Sequence, residues 1–334
     1  MQKLNTIDAD TLMTTPLPAI RYVVDQLLPQ GLHILAGAPK VGKSWLALWL
    51  CLSVSKGDTM WGFPVTQGPV IYLCLEDSYA RIQNRLFQIT DDAPPTLHFA
   101  NLSSCIGEGL EEQIKVFLAE HPDTKLIVID TLQKIRRSTT DANPYANDYR
   151  DISMLKQLAD TYGVAIVLIH HLRKMSDDDP LNMISGTTGI SGATDSSFVL
   201  RLDKRGSSCA TLYCTGRDIE YRELALEFQK ETHTWELIQP AEIDKPHQEP
   251  ELIFLSGFLH RLGVFDGTAT KLSELLEQDT DTQMLPAALA KKLVRYTSEL
   301  DKAGIHVTST RTRDSRLLHI MCDGSDGNDG KNQC

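Results

Sequence analysis

Residues 37–44 read Gly37-Ala38-Pro39-Lys40-Val41-Gly42-Lys43-Ser44 and match G-x-x-x-x-G-K-[ST] at every fixed position. The chemistry this spacing permits is phosphate capture. Successive backbone N–H groups can cradle phosphate oxygens, and the helix that follows adds its positive end. Lys43 is placed to reach the β and γ phosphates, and the Ser44 hydroxyl to ligate Mg2+. The candidate nucleotide contacts are therefore Gly37, Ala38, Pro39, Lys40, Val41, Gly42, Lys43, Ser44 and the adjoining Trp45. ATP with Mg2+ is the expected ligand.

Further residues fall where such a loop needs them. Lys125 to Asp130 reads KLIVID, an apolar strand with Asp130 at its carboxyl end. Ligands of open α/β sheets bind at those ends, so Asp130 can hold the magnesium water shell opposite Ser44. Val70 to Leu75 is a second apolar strand, ending in Glu76-Asp77. Glu76 is the candidate that orients the attacking water; Asp77 is its rival, or an N-cap of the next helix. Val164 to Ile169 leads into His170-His171, either of which could contact the γ phosphate. Arg217, in Thr215-Gly216-Arg217-Asp218, is either a finger reaching a neighbour's nucleotide or a solvated turn arginine.

The elements that must position these groups follow from apolar runs and breakers. We expect a short helix near Ile20 to Leu28, a strand at Leu32 to Ala36 and a long apolar helix from Lys43 to about Ser55. Helices are expected at Tyr79 to Gln88, Glu111 to Glu120 and Tyr149 to Tyr162. Strands are expected at Ser196 to Leu202, Ala210 to Thr215, Leu224 to Gln229 and Thr234 to Ile238. Strands alternating with helices indicate an α/β fold with a central, mostly parallel sheet. The expected organisation is an ATPase domain over 1–240, a linker at 241–250, a small α+β domain over 251–321 and a disordered tail at 322–334.

The chain has 334 residues, enough for two domains, and a net charge of −11. That charge argues against a surface coated with nucleic acid but leaves room for a local basic patch. No apolar run is long enough for a membrane helix, and no signal peptide is apparent, so a cytoplasmic protein without membrane contact is expected. The seven cysteines form no CxxC pair, which points to free thiols rather than to zinc or a disulfide framework.

Taken together, GAPKVGKS at 37–44, GPVIYLCLEDS at 68–78, LIVIDTLQ at 126–133, IVLIHHLRK at 166–174, SGTTGISGATDSSFVL at 185–200 and TGRDIEYREL at 215–224 resemble a RecA-type ATPase of the RepA-like helicase group. The resemblance spans about residues 15–240. It implies a RecA-like P-loop core in which Glu76 is the catalytic glutamate and Asp130 the Walker B aspartate. It further implies that His171 senses the γ phosphate and that Arg217 completes the neighbouring site. Such proteins are similar to hexameric ring helicases that move along single-stranded DNA in plasmid, phage or mobile-element replication. A ring homo-oligomer, single-stranded or forked DNA, and replication proteins are the implied partners.

In that family the polar loops 136–147 and 174–188 face the central channel, which makes Arg136, Arg137, Arg173 and Lys174 candidate DNA contacts. Asp177, Asp178 and Asp179 depart from a simple basic channel. In the C-terminal segment, Thr270 is a candidate N-cap and Ala287 to Leu300 reads as one amphipathic helix. The segment resembles a winged-helix-like module in which Lys291, Lys292, Arg295, Arg311 and Arg313 would touch DNA phosphates; a protein-interaction module with a solvated basic face is the alternative. For the whole chain the rivals to a helicase are a regulatory or helicase-loader ATPase and a recombinase-like filament protein.

Overall fold

The computed structural model describes residues 4, 6–17, 19–137, 144–173, 179–184, 188–204, 206–239, 249–311 and 316–323, with 144–146, 188, 189, 191 and 311 described through the backbone alone. The chain divides into two compact units, Arg21–Ile243 and a second made of Met1–Ile20 with Asp244–Cys334. The first twenty residues, expected to open the ATPase domain, belong instead with the C-terminal unit. Their helix α1 (Ala9–Thr14) is capped by Asp8, whose carboxylate accepts the Thr11 N–H.

The helix expected near Ile20 to Leu28 does not form. Tyr22–Val24 (β1) and Leu28–Pro29 (β2) make an antiparallel ribbon, turned at Gln26 with φ 57°. The apolar residues there have helical spacing, but the β-branched pair Val23-Val24 is buried as a strand.

The large unit is built on β3 (Gly31–Gly37), α2 (Lys43–Lys56), β4 (Val70–Cys74), α3 (Tyr79–Ile89), β5 (Leu97–Ala100), α4 (Leu110–Glu120), β6 (Leu126–Asp130), α5 (Pro144–Tyr162), β7 (Ala165–His171), α6 (Thr188–Ala193), β8 (Ser196–Leu202), β9 (Cys209–Gly216), β10 (Arg222–Phe228) and β11 (Trp235–Leu237). The sheet order is β11-β10-β9-β8-β3-β7-β6-β4-β5. The strands from β8 to β5 run parallel, and β9, β10 and β11 extend the sheet antiparallel. The short strand β5 lies outside the elements read from the sequence.

Central strands are apolar on both faces because both faces are covered. On one side Val128, Val167 and Ile169 pack with Leu46, Ala47 and Cys51 of α2. On the other, Ile127, Ile166 and Leu168 pack with Ile114 and Leu118 of α4 and Ile152 and Leu155 of α5. Burial around most of its circumference explains why α2 is apolar on every side from Trp45 to Leu52; Gly57, with φ 79°, ends it.

The C-terminal unit runs α7 (Pro250–Leu262), β12 (Val264–Thr268), α8 (Ala269–Thr280), α9 (Pro286–Arg295), α10 (Thr297–Lys302), β13 (Ile305–Arg311) and β14 (Arg316–Cys322). Its strands form an antiparallel sheet in the order β12-β14-β13 over a core that includes Leu255, Phe258, Leu272, Leu293 and Ile320. Three details differ from expectation. The N-cap of α8 is Thr268, not Thr270. The single helix expected over Ala287 to Leu300 breaks at Tyr296 into α9 and α10. Cys322, expected in the tail, ends β14. No helix among the described residues is long and apolar enough to cross a membrane.

Candidate nucleotide-binding site

The phosphate loop leaves the carboxyl end of β3, where Gly37 lies between His171 on β7 and Leu200 on β8. A Cβ on Gly37 would come 2.8 Å from the Leu200 carbonyl oxygen, so only glycine lets the loop start there. Lys40 (φ 65°) and Gly42 (φ 97°) take left-handed conformations that curl the backbone toward α2. Gly42 caps α2 without a side chain, which keeps the helix N-terminus open to an anion.

Inside the loop the Lys43 Nζ donates to the carbonyl oxygens of Gly37 (2.8 Å) and Ala38 (2.9 Å). Burial lowers its pKa to about 8, against the pull of Asp130 and Glu76 in the other direction. An ammonium this desolvated is stabilised by arriving phosphate charge.

Asp130 is 5% exposed and holds two hydroxyls on one oxygen: Ser44 Oγ donates to Oδ2 at 2.7 Å and the Tyr72 hydroxyl at 2.8 Å. Desolvation pushes its pKa up, the two hydroxyls pull it back, and Glu76 and Asp77 raise it again. A buried carboxylate beside a hydroxyl is a hard-oxygen donor set, the type that suits Mg2+. Ser44 and Asp130 are thus the residues that would hold the ion, whose charge would offset that of the phosphates. Tyr72, on the strand next to Asp130, is not among the residues the sequence singles out; its only signal there is a polar tip within an otherwise apolar strand.

Glu76 is exposed beyond the end of β4, and its Oε1 accepts from the Thr131 hydroxyl at 3.1 Å. Its rival Asp77 is committed elsewhere, with Arg81 at 2.7 Å and Arg85 at 2.5 Å. The N-cap of α3 is Ser78, not Asp77. Trp45 packs against His233 (ring centroids 4.8 Å apart), with the Arg85 guanidinium over its indole at 5.4 Å.

The histidine pair is separated by strand alternation. β7 extends to His171, so its side chains alternate through both histidines. Ile169 and Val167 face α2, which places His171 on the face of Asp130 and beside Gly37. His170 lies on the α5 face and is 6% exposed.

Arg217 is not brought to this site. Gly216 pairs with Ser196, and Ser196 lies beside His33, four residues before Gly37. That is about 13 Å of strand, at the opposite end of the sheet. The Arg217 side chain is 61% exposed and lies 3.6 Å from the Asp195 carboxylate.

Most candidate DNA contacts have partners within the chain. Arg136 is ion-paired with Asp148 and Asp151 and is only 16% exposed. Arg137 bonds the carbonyls of Ile106 and Gly107 and pairs with Glu108. Arg173 bonds the Asn182 carbonyl, Lys291 pairs with Asp10, Lys292 with Glu251 and Arg295 with Glu249. Lys174, Asp177, Asp178, Arg313 and the Arg311 side chain lie outside the described residues. The exposed pairs among them, those of Arg137, Lys291 and Arg295, are worth at most about 1 kcal/mol each.

The family whose description is "AAA domain" matches residues 2–177, more than half of the chain. A comparison with the curated proteins finds no match. Among solved structures, one described as an ATPase domain is similar at 14% identity over 63% of this chain and 85% of that one, with a TM-score of 0.53. A DnaB-like replicative helicase, described with its interactions with primase, is similar at 15% identity with a TM-score of 0.52. There the match takes in 63% of this chain and spans 59% of the helicase's length. The shared feature in both cases is the RecA-like fold.

Proposed function

The chain belongs to the AAA domain family and is an ATPase, and from that premise we propose that it is a ring-forming motor of the RepA-like helicase group. It hydrolyses ATP at subunit interfaces and acts on single-stranded or forked DNA in the replication of a plasmid, phage or integrated mobile element. Lys43, Ser44 and Asp130 hold MgATP, Glu76 orients water, His171 senses the γ phosphate, and Arg217 serves the neighbour's site. The small C-terminal unit works as a winged-helix-like DNA-contacting module.

One observation carries the interface reading. The loop, Ser44 and Asp130 are assembled within one chain, whereas Arg217 stands exposed at the far end of the same sheet. A charge that cannot reach its own nucleotide can reach a neighbour's, and phosphoryl transfer gains most from such a group. The helicase reading draws on likeness to the replicative helicase folds and extends, in the same way, to replication partners such as primase.

A second reading, a nucleotide-switched regulator that binds a protein without unwinding, is favoured by the intrachain pairing of Arg136, Arg137, Lys292 and Arg295. The deciding measurement is ATPase rate with and without single-stranded DNA, together with oligomer size in ATP and unwinding of a fork. Stimulation, a closed ring and unwinding lost in Lys43→Ala support the motor. No stimulation from a monomer or dimer sinks it, and a helical filament on DNA would favour a recombinase-like protein.

A further inference from the structure

Asp195 immediately precedes β8 with its side chain only 7% exposed, at the end of the sheet away from the phosphate loop. Its backbone carbonyl accepts the Arg217 N–H at 2.9 Å. Its carboxylate has two close donors and a third cation facing it. Oδ2 accepts the Leu32 N–H at 2.8 Å and faces Lys156 Nζ of α5 at 2.9 Å, and Oδ1 faces Arg217 Nη1 at 3.6 Å. The guanidinium also reaches the Gly192 carbonyl at 3.4 Å.

Two glycines make room for this arrangement. A Cβ on Gly31 would come 2.4 Å from Asp195 Oδ2, and one on Gly216 would come 2.4 Å from Ser196 Oγ and 2.8 Å from the Asp195 carbonyl. A buried carboxylate needs donors on every side. The amide and Lys156, which it shares with Asp160, hold it closely, and the third side is turned to Arg217. Of the three, the guanidinium is held most loosely and is the most open to solvent, at 61% against 24% for Lys156.

We propose that Asp195 is the positioning residue for Arg217, fixing the start of its backbone and aiming its guanidinium outward to a neighbouring subunit's nucleotide. The inference rests on Arg217 acting in trans. Asp195 touches no nucleotide; it sets where the arginine starts from.

The test uses full-length chains and mixing. Asp195→Asn keeps an oxygen for the Leu32 N–H and removes the charge that faces Arg217. Its kcat for ATP should fall roughly three-fold, the scale of a partly exposed ion pair, with KM for ATP unchanged. Mixed with equal Lys43→Ala, whose own site is dead but whose Arg217 is sound, each Asp195→Asn subunit should regain rate. Gly216→Ala, which displaces the same backbone contact, should be rescued in the same way. A variant that merely misfolds damages its own phosphate loop and gains nothing from the mixture.

Wild-type kcat in Asp195→Asn, or no gain on mixing for either variant, overturns the proposal. Arg217→Ala mixed with Lys43→Ala separates the two ideas. If that mixture gains and the Asp195→Asn mixture does not, the positioning role alone falls. If neither gains, the trans reading of Arg217 has failed and the positioning role falls with it.

Discussion

Lys43→Met should stabilise the nucleotide-free protein at neutral pH and lose that advantage in alkali. Burial brings the Lys43 pKa from 10.5 to about 8 in the folded chain. Between those values the unfolded chain holds a proton that the folded chain has lost, so stability rises with pH across that window. Below it the desolvated ammonium costs about 3 kcal/mol relative to a neutral group. Methionine also forfeits the bonds to the Gly37 and Ala38 carbonyls, about 1 kcal/mol each. The variant should therefore be about 1 kcal/mol more stable at pH 7. By pH 9.5 the wild type should have gained about 2 kcal/mol on it, which reverses the order. Urea unfolding followed by tryptophan fluorescence is the assay, since all four tryptophans (Trp45, Trp49, Trp61 and Trp235) lie in the ATPase unit. A difference between the two proteins that stays constant from pH 7 to 9.5 would refute the burial account.

Other perturbations address single groups. Glu76→Gln should leave nucleotide affinity intact and lower turnover by about 10²–10³-fold, measured as Kd and single-turnover rate; unchanged turnover would hand the water-orienting role to another residue. His171→Ala should lower kcat at constant ATP affinity, whereas His170→Ala, on the other face, should act on thermal stability; equal kinetic losses from both would contradict the strand alternation. Gly42→Ala forces a side chain into φ 97° with its Cβ 2.9 Å from the Trp235 ring. It should cost about 1–3 kcal/mol, read as a lowered urea midpoint, together with weakened ATP binding.

The parts of the site that were legible in the sequence are those encoded by adjacent residues. The phosphate loop is one continuous motif, and the strands carrying Asp130 and His171 announce themselves as apolar runs because the sheet is covered on both faces. The parts that escaped depend on packing between distant segments. Tyr72 reaches Asp130 only because β4 and β6 are neighbours in register. Asp195 matters through Leu32, Lys156 and Arg217, brought together from β3, α5 and the end of β9. The strand β5 has four residues between a Pro-Pro turn and a polar stretch, too short for its pattern to stand out. The ribbon at Tyr22–Pro29 shows burial overriding helical spacing, and the break at Tyr296 splits an amphipathic pattern that reads as one helix.

Both margins of the nine-stranded sheet are narrow. One border is the four-residue β5 and the other the three-residue β11. A border so brief offers few unpaired backbone groups for a foreign strand to zip onto, and a sheet that ends this way resists growing from copy to copy. In the ring proposed above, the joints between copies would then be made by side chains, contacts that salt or a single substitution can dissolve and that can form again, which strand-to-strand fusion would not allow.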